Sequence, residues 1–490
     1  EDCLYLNIWT PQKCHATNAS NANCTVMLWI HGGSYVTGGT KGMFNGTRLA
    51  KDFGVVIVTI NYRLGILGFA GAEVLRARDP QGSTGNYGIQ DQRAAMKWVQ
   101  RNIAVFGGNA SDVVLFGESA GAGSIAVHLT SPLSWPLYRR VIMESGAFSY
   151  WNAQPMEDAQ QQFDELLDAA ECDGVDCLLG KAGDELTGIA TVELNPEPLP
   201  EDWKAYGTFF SPTVDGVQLT QLPWDLLREG NFNQDVEVLL GYNKDEGTVL
   251  GSCEGMPKCQ MLHKGAKMTE SDFKALMTTD LFNITESKLP DILRVYAPDK
   301  EKDLPHHWYW IATKIYGDYS IACPSLRAAD RFAHVTETYL YCFAHTPQGP
   351  APKWAGIFGK NGTVGASHGA ELGFVWLGDD GWNASVGASE GGWQLQKDEW
   401  PLAETMATYW TNFAKSGNPN LPRNGTSLTI PWTPASLNAT ALVFGAARLT
   451  TSELSAVRRR CQLLDSLGPM VEGYSQTRRL RSNDHLPLLI

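Results

Sequence analysis

The chain has 490 residues, 43% of them hydrophobic and 19% charged, which is enough to bury a large core. A formal net charge of −14 and an isoelectric point near 5.2 argue against nucleic acid or an anionic membrane surface as partner. No apolar run reaches transmembrane length, so an integral membrane segment is not expected.

The N-terminal third alternates short apolar runs with helical patterns, as a parallel α/β sheet does. Residues 4–9 and 26–30 read as strands, the second running into His31-Gly32-Gly33-Ser34. Residues 55–60 are continuous and β-branched, like a strand buried on both faces. Within 91–106, Ala95, Trp98, Val99, Ile103 and Phe106 share one helical stripe. The apolar run 113–116 stops at Gly117, a helix of small residues opens, and a short strand follows at 141–143. Residues 157–170 form an amphipathic helix and 195–200 a proline-rich surface loop. Strand character returns at 236–240, ahead of Gly241-Tyr242-Asn243-Lys244-Asp245-Glu246-Gly247. Residues 270–296 are mainly helical, 338–343 a buried strand, 349–373 a loop, and 400–416 and 454–467 helices. The absence of repeats or linker-like boundaries predicts one domain over 1–470, with 471–490 as a flexible tail.

Gly117-x-Ser119-x-Gly121 has the pattern of a nucleophile elbow. A serine raised on a sharp strand-to-helix turn needs small neighbours so that the chain can approach itself. The helix that begins there directs backbone N–H groups at any anion forming beside the serine. Such a serine needs a base and a group to orient that base. Asp245 and Glu246 both fit the acid position directly after a strand, and spacing alone does not choose between them. Of the later histidines, His334 lies in a helical pattern and His485 in the tail. His368, in a loop of small residues, is favoured over His345 as the base. Backbone donors for an oxyanion are available from Ala120 and from the glycine loop after the second strand.

Of ten cysteines, Cys14 with Cys24, Cys172 with Cys177, and Cys253 with Cys259 flank short loops suited to local disulfides. Nine N-x-Ser/Thr sequons accompany them, at Asn18, Asn23, Asn45, Asn109, Asn283, Asn361, Asn383, Asn424 and Asn438. Together they predict a secreted or secretory-pathway glycoprotein.

These residues resemble the type-B carboxylesterases, which include the cholinesterases and some fungal lipases. The resemblance rests on Glu1-Asp2-Cys3-Leu4-Tyr5-Leu6-Asn7-Ile8-Trp9, on Gly107-Gly108-Asn109 through Gly117-Glu118-Ser119-Ala120-Gly121, and on Asn61-Tyr62-Arg63. Gly85-Asn86 with Asp91-Gln92-Arg93, Asn243-Lys244-Asp245-Glu246-Gly247 and Phe413-Ala414-Lys415-Ser416-Gly417-Asn418-Pro419 continue it along nearly the whole chain. It implies an α/β-hydrolase fold, a mostly parallel twisted sheet flanked by helices, here without the family's N-terminal strands.

It also implies Glu246 as the acid, His368 as the base, and the N–H groups of Gly33, Ser34 and Ala120 as oxyanion donors. Implied disulfides are Cys172–Cys177 and Cys323–Cys461, with Cys3 pairing upstream and Cys342 a free core thiol. Where the family loop carries a third glycine, this chain has Ser34, whose added side chain narrows the cleft. Val249 and Leu250 stand where acetylcholinesterases have choline-binding aromatics, which argues against a dedicated acetylcholinesterase. Phe210 aligns with an acyl-pocket aromatic, and Glu118 could tune the histidine or meet a cationic leaving group. The expected activity is hydrolysis of small carboxylic esters through an acyl-enzyme, without metal or cofactor. Alternatives are a lipase on longer acylglycerols, a cholinesterase, and a non-catalytic adhesion module of the neuroligin kind. Oligomeric state is left open.

Overall fold

The computed structural model describes residues 2–14, 23–40, 43–192, 210–250, 267–280, 284–297, 306–349, 364–378, 395–421, 430–435, 441–445 and 451–467. Strands β1 (Leu6–Trp9), β2 (Cys24–Ile30), β3 (Val56–Ile60), β4 (Gly108–Glu118), β5 (Arg140–Glu144), β6 (Glu237–Asn243), β7 (Thr338–Phe343) and β8 (Ala441–Phe444) form one sheet in the order β1-β3-β2-β4-β5-β6-β7-β8. Among the described residues only β1 runs antiparallel, against β3; every other pairing is parallel. This is the sheet expected of the α/β-hydrolase fold.

Successive side chains of each strand enter two separate cores, because strand side chains alternate between faces. Val26, Leu28 and Ile30 of β2 and Val113 and Leu115 of β4 pack on one face, under the helices Tyr87–Asn102, Ala120–Thr130 and Cys323–Phe332. Met27, Trp29, Val114 and Phe116 point to the other, covered by Thr47–Phe53, Leu372–Val375 and Trp400–Ser416. Both faces are buried, which explains why the strands read as unbroken apolar runs.

The strand at 338–343 and the helix at 400–416 have the bounds read from sequence. The helix expected over 91–106 begins earlier, at Tyr87, and its last turn is the 3-10 segment Ile103–Phe106. His334 lies in the turn after Cys323–Phe332 rather than inside a helix. The disulfides Cys14–Cys24, Cys172–Cys177 and Cys323–Cys461 are formed, while Cys3 and the buried Cys342 are free. Cys253, Cys259, the 195–200 loop, His485 and the 471–490 tail lie outside the described residues. Among the described residues no helix is long and apolar enough to cross a membrane.

Candidate active site

The C-terminal ends of parallel strands share one edge of the sheet, where ligands bind in open α/β folds. The loop His31–Thr37 follows β2 there, Ser119 follows β4, Glu246 follows β6, and the loop bearing His368 lies beyond β7.

Ser119 sits between β4 and the helix Ala120–Thr130 with φ 56° and ψ −123°, a conformation a serine adopts only when its surroundings impose it. They do so through the backbone: Ser119 N–H donates to the Glu144 carbonyl at 2.9 Å, and the Ser119 carbonyl accepts from Gly123 N–H at 2.9 Å. Close approach fixes the rest of the elbow. A Cβ on Gly121 would stand 2.0 Å from the Ile30 carbonyl oxygen, so only glycine lets the helix start so near β2. The glycine loop lies directly over the serine, since a Cβ on Gly32 would be 3.0 Å from Ser119 Cβ and 2.9 Å from Glu118 Oε2.

Glu246 and His368 are brought together by stitching between their loops. Asp245 N–H donates to the Ala366 carbonyl at 2.9 Å while Asp245 Oδ2 accepts from Ala366 N–H at 2.9 Å. Thr248 Oγ1 donates to the Val364 carbonyl at 2.7 Å. With the loops locked, His368 Nδ1–H donates to Glu246 Oε2 at 2.7 Å, both side chains being buried. Glu246 Oε1 accepts from Asn243 N–H at 2.7 Å, which fixes the carboxylate plane. Of the two adjacent acids, Asp245 clamps the loop and Glu246 meets the imidazole. His345 is engaged elsewhere, with Nε2 2.7 Å from Glu399 Oε1 at the start of the helix Trp400–Ser416.

The other edge of the His368 ring faces Glu118, with Nε2 3.1 Å from Oε1 in a contact not aligned as a hydrogen bond. Burial disfavours the imidazolium, but the Glu118 charge and the hydrogen bond and charge of Glu246 outweigh it and raise His368 to about 9. Glu118 is pushed up to about 7 by burial, opposed by His368 and assisted by Glu246. Two further buried carboxyls are not legible in the sequence as part of the site. Glu144 accepts from Trp410 Nε1 at 2.9 Å and is raised by burial to about 8, despite that hydrogen bond. Glu371 accepts from Asn243 Nδ2 and is raised by burial and by its carboxyl neighbours Glu118, Glu144 and Glu246. Their signal was a charged residue beside small residues at a buried strand end or loop, in Glu144-Ser145-Gly146 and His368-Gly369-Ala370-Glu371.

Of the remaining expected residues, Ala120 begins the helix after Ser119, and Gly33 and Ser34 lie in the overlying loop with φ 108° and 54°. Phe210 is fully buried in the core on the elbow-helix side of the sheet. Val249 and Leu250 belong to the short helix Gly247–Leu250, but their side chains fall outside the described residues. Among the described residues no group of three or more His, Cys, Asp or Glu side chains could hold a metal ion.

A family model described as "Carboxylesterase family" matches residues 1–458. The chain is 32% identical over 446 residues to a cholinesterase of Mus musculus, covering 86% of this chain and 65% of that protein. It is 30% identical over 473 residues to an acetylcholinesterase of Electrophorus electricus, covering 87% and 68%. An acetylcholinesterase of Danio rerio is 31% identical over 469 residues, covering 87% and 68%. The chain thus spans 65% to 68% of the length of these three relatives.

Proposed function

The chain belongs to the carboxylesterase family, and from that premise we propose that it hydrolyses small, uncharged carboxylic esters through an acyl-enzyme on Ser119. The observation that carries the reading is the buried 2.7 Å contact of His368 Nδ1 with Glu246 Oε2, at the sheet edge that holds the strained Ser119. His368 Nε2 takes the Ser119 proton as Oγ attacks the ester carbonyl carbon, and the carbonyl electron pair moves onto its oxygen. Backbone N–H groups of Gly33, Ser34 and Ala120 hold that oxyanion. Collapse expels the alcohol with the proton from His368, and water repeats the sequence to release the acid. Glu246 keeps the proton on Nδ1 and stabilises the imidazolium.

Incubation with an alkyl fluorophosphonate tests this. One equivalent is expected to attach to Ser119 by peptide mapping, in step with loss of p-nitrophenyl acetate hydrolysis. Full labelling at another residue, or inactivation without labelling, would dismiss the reading.

The Glu118 contact sets a second expectation. Neutral His368 is the base, so kcat/KM rises with pH along a limb governed by His368, which Glu118 helps to raise to about 9. Glu118→Gln removes the negative charge, so the imidazolium loses stabilisation and the limb moves to lower pH by about one unit or more. Because the same charge favours the imidazolium in the transition state, the plateau falls several-fold. An unmoved limb in a pH–rate profile contradicts the assignment of Glu118.

Val249 and Leu250, in place of the aromatic residues that would favour a choline cation, support an uncharged ester as substrate. The disulfides and the exposed sequon residues Asn23 and Asn45 support passage through the secretory pathway.

A further inference from the structure

The loop over Ser119 contains three consecutive residues with left-handed backbone, Gly33 at φ 108°, Ser34 at 54° and Tyr35 at 63°. Glycine enters that region freely, whereas side chains with a Cβ are disfavoured there. For Tyr35 the compensation is visible. The residue is 2% exposed, its ring packs 5.0 Å from the Phe69 ring, and its carbonyl accepts from Gly65 N–H at 2.7 Å. At Ser34 the conformation is held only by the turn's own backbone bonds, from Val36 N–H and Thr37 N–H to the Gly33 carbonyl at 3.0 Å each, with no packing of its side chain comparable to that of Tyr35. The Ser34 side chain is half-buried, and its hydroxyl makes no hydrogen bond with any described residue. A strained residue with an unengaged polar group, two positions from the glycine that lies over Ser119, is where function is to be sought.

We propose that the Ser34 hydroxyl is an additional oxyanion donor, acting on the same oxygen as the Ser34 backbone N–H. The chemistry of one residue makes this possible. In a gauche rotamer, N and Oγ of a serine both lie within hydrogen-bonding reach of a single acceptor. As the ester carbonyl becomes tetrahedral its oxygen gains full negative charge and accepts further donors; the Ser34 proton is shared in a hydrogen bond and is not transferred. A ground-state carbonyl draws this bond less strongly, so the contribution belongs to the transition state. The role rests on the acyl-enzyme reading above and deepens it.

Ser34→Ala and Ser34→Gly, assayed on p-nitrophenyl acetate, separate this role from a structural one. Ala keeps the Cβ and its strain; Gly removes both and leaves the melting midpoint unchanged or raised. Both are expected to lose about 10²-fold in kcat with KM little changed. Both should bind a trifluoromethyl ketone, whose hydrate anion mimics the oxyanion, more weakly by a similar factor. Ser34→Ala within threefold of the parent enzyme overturns the proposal, as does a loss confined to Ser34→Gly, which would point to loop rigidity. A parent protein that neither turns over the ester nor labels at Ser119 removes the acyl-enzyme reading itself. In that case the Ser34 role falls with it.

Discussion

Ser119→Ala is expected to lower kcat/KM toward p-nitrophenyl acetate by about 10⁴-fold or more, as deletion of a nucleophile that acts in concert with its base does. The fold should not notice. No described residue hydrogen-bonds to the Ser119 side chain, and the elbow is held by main-chain contacts that alanine preserves: N–H to the Glu144 carbonyl and carbonyl to Gly123 N–H. Alanine tolerates the same φ about as poorly as serine, so the strain is unchanged. The measurement is therefore a clean one, turnover against melting midpoint. Gly121→Ala supplies the opposite pattern, because its Cβ would collide with Ile30 and push the helix off β2. Loss of stability and of activity should then appear together. A Ser119→Ala enzyme keeping more than about 1% of its activity would move the nucleophile elsewhere.

Much of this arrangement is legible in the sequence, and the parts that are not have a common cause. Ser119 announces itself because the elbow needs Gly117 and Gly121 within two residues of it, a purely local demand. Strands such as β3 and β7 are visible because burial on both faces leaves only apolar, β-branched or aromatic choices. By contrast, Asp245 and Glu246 are adjacent, follow the same strand, and differ only in contacts made across the fold. Glu246 meets a histidine 122 positions away, and Asp245 meets Ala366 at a separation of 121. No local pattern encodes that distinction; the family resemblance supplied it. The helix His307–Gly317 is hidden in the sequence for another reason. Most of its residues are buried, so it lacks a polar face, and it passes directly into the π-helical turn Asp318–Ala322. β8, four residues long, carries too little pattern to stand out. Glu144 and Glu371 are hidden because an acidic residue in sequence suggests a solvated surface, and the fold places them among other carboxyls.

Glu246→Gln is the second large effect, about 10⁴-fold in kcat, and its origin lies in the number of acceptors. Glu246 accepts on both oxygens, from Asn243 N–H through Oε1 and from His368 Nδ1–H through Oε2, each at 2.7 Å. Glutamine has one acceptor and one NH₂ donor. If its oxygen faces His368, the NH₂ confronts the buried Asn243 N–H, two donors in contact, at about 1–3 kcal/mol for the unsatisfied backbone group. If its oxygen faces Asn243, the NH₂ donates to Nδ1 and forces the imidazole proton onto Nε2. The second arrangement satisfies every group, because neutral imidazole can carry its proton on either nitrogen. It is therefore the one adopted, and a histidine protonated at Nε2 and unprotonated at Nδ1 cannot take the Ser119 proton. The variant should fold normally and still bind substrate, with kcat rather than KM collapsing. Asp245→Asn is the matched comparison. It weakens the clamp on Ala366 but leaves both Glu246 oxygens in place, so its loss should stay within about tenfold and fall partly on stability. Equal losses in the two variants would mean that the loop clamp, not the carboxylate on His368, is what the chemistry depends on.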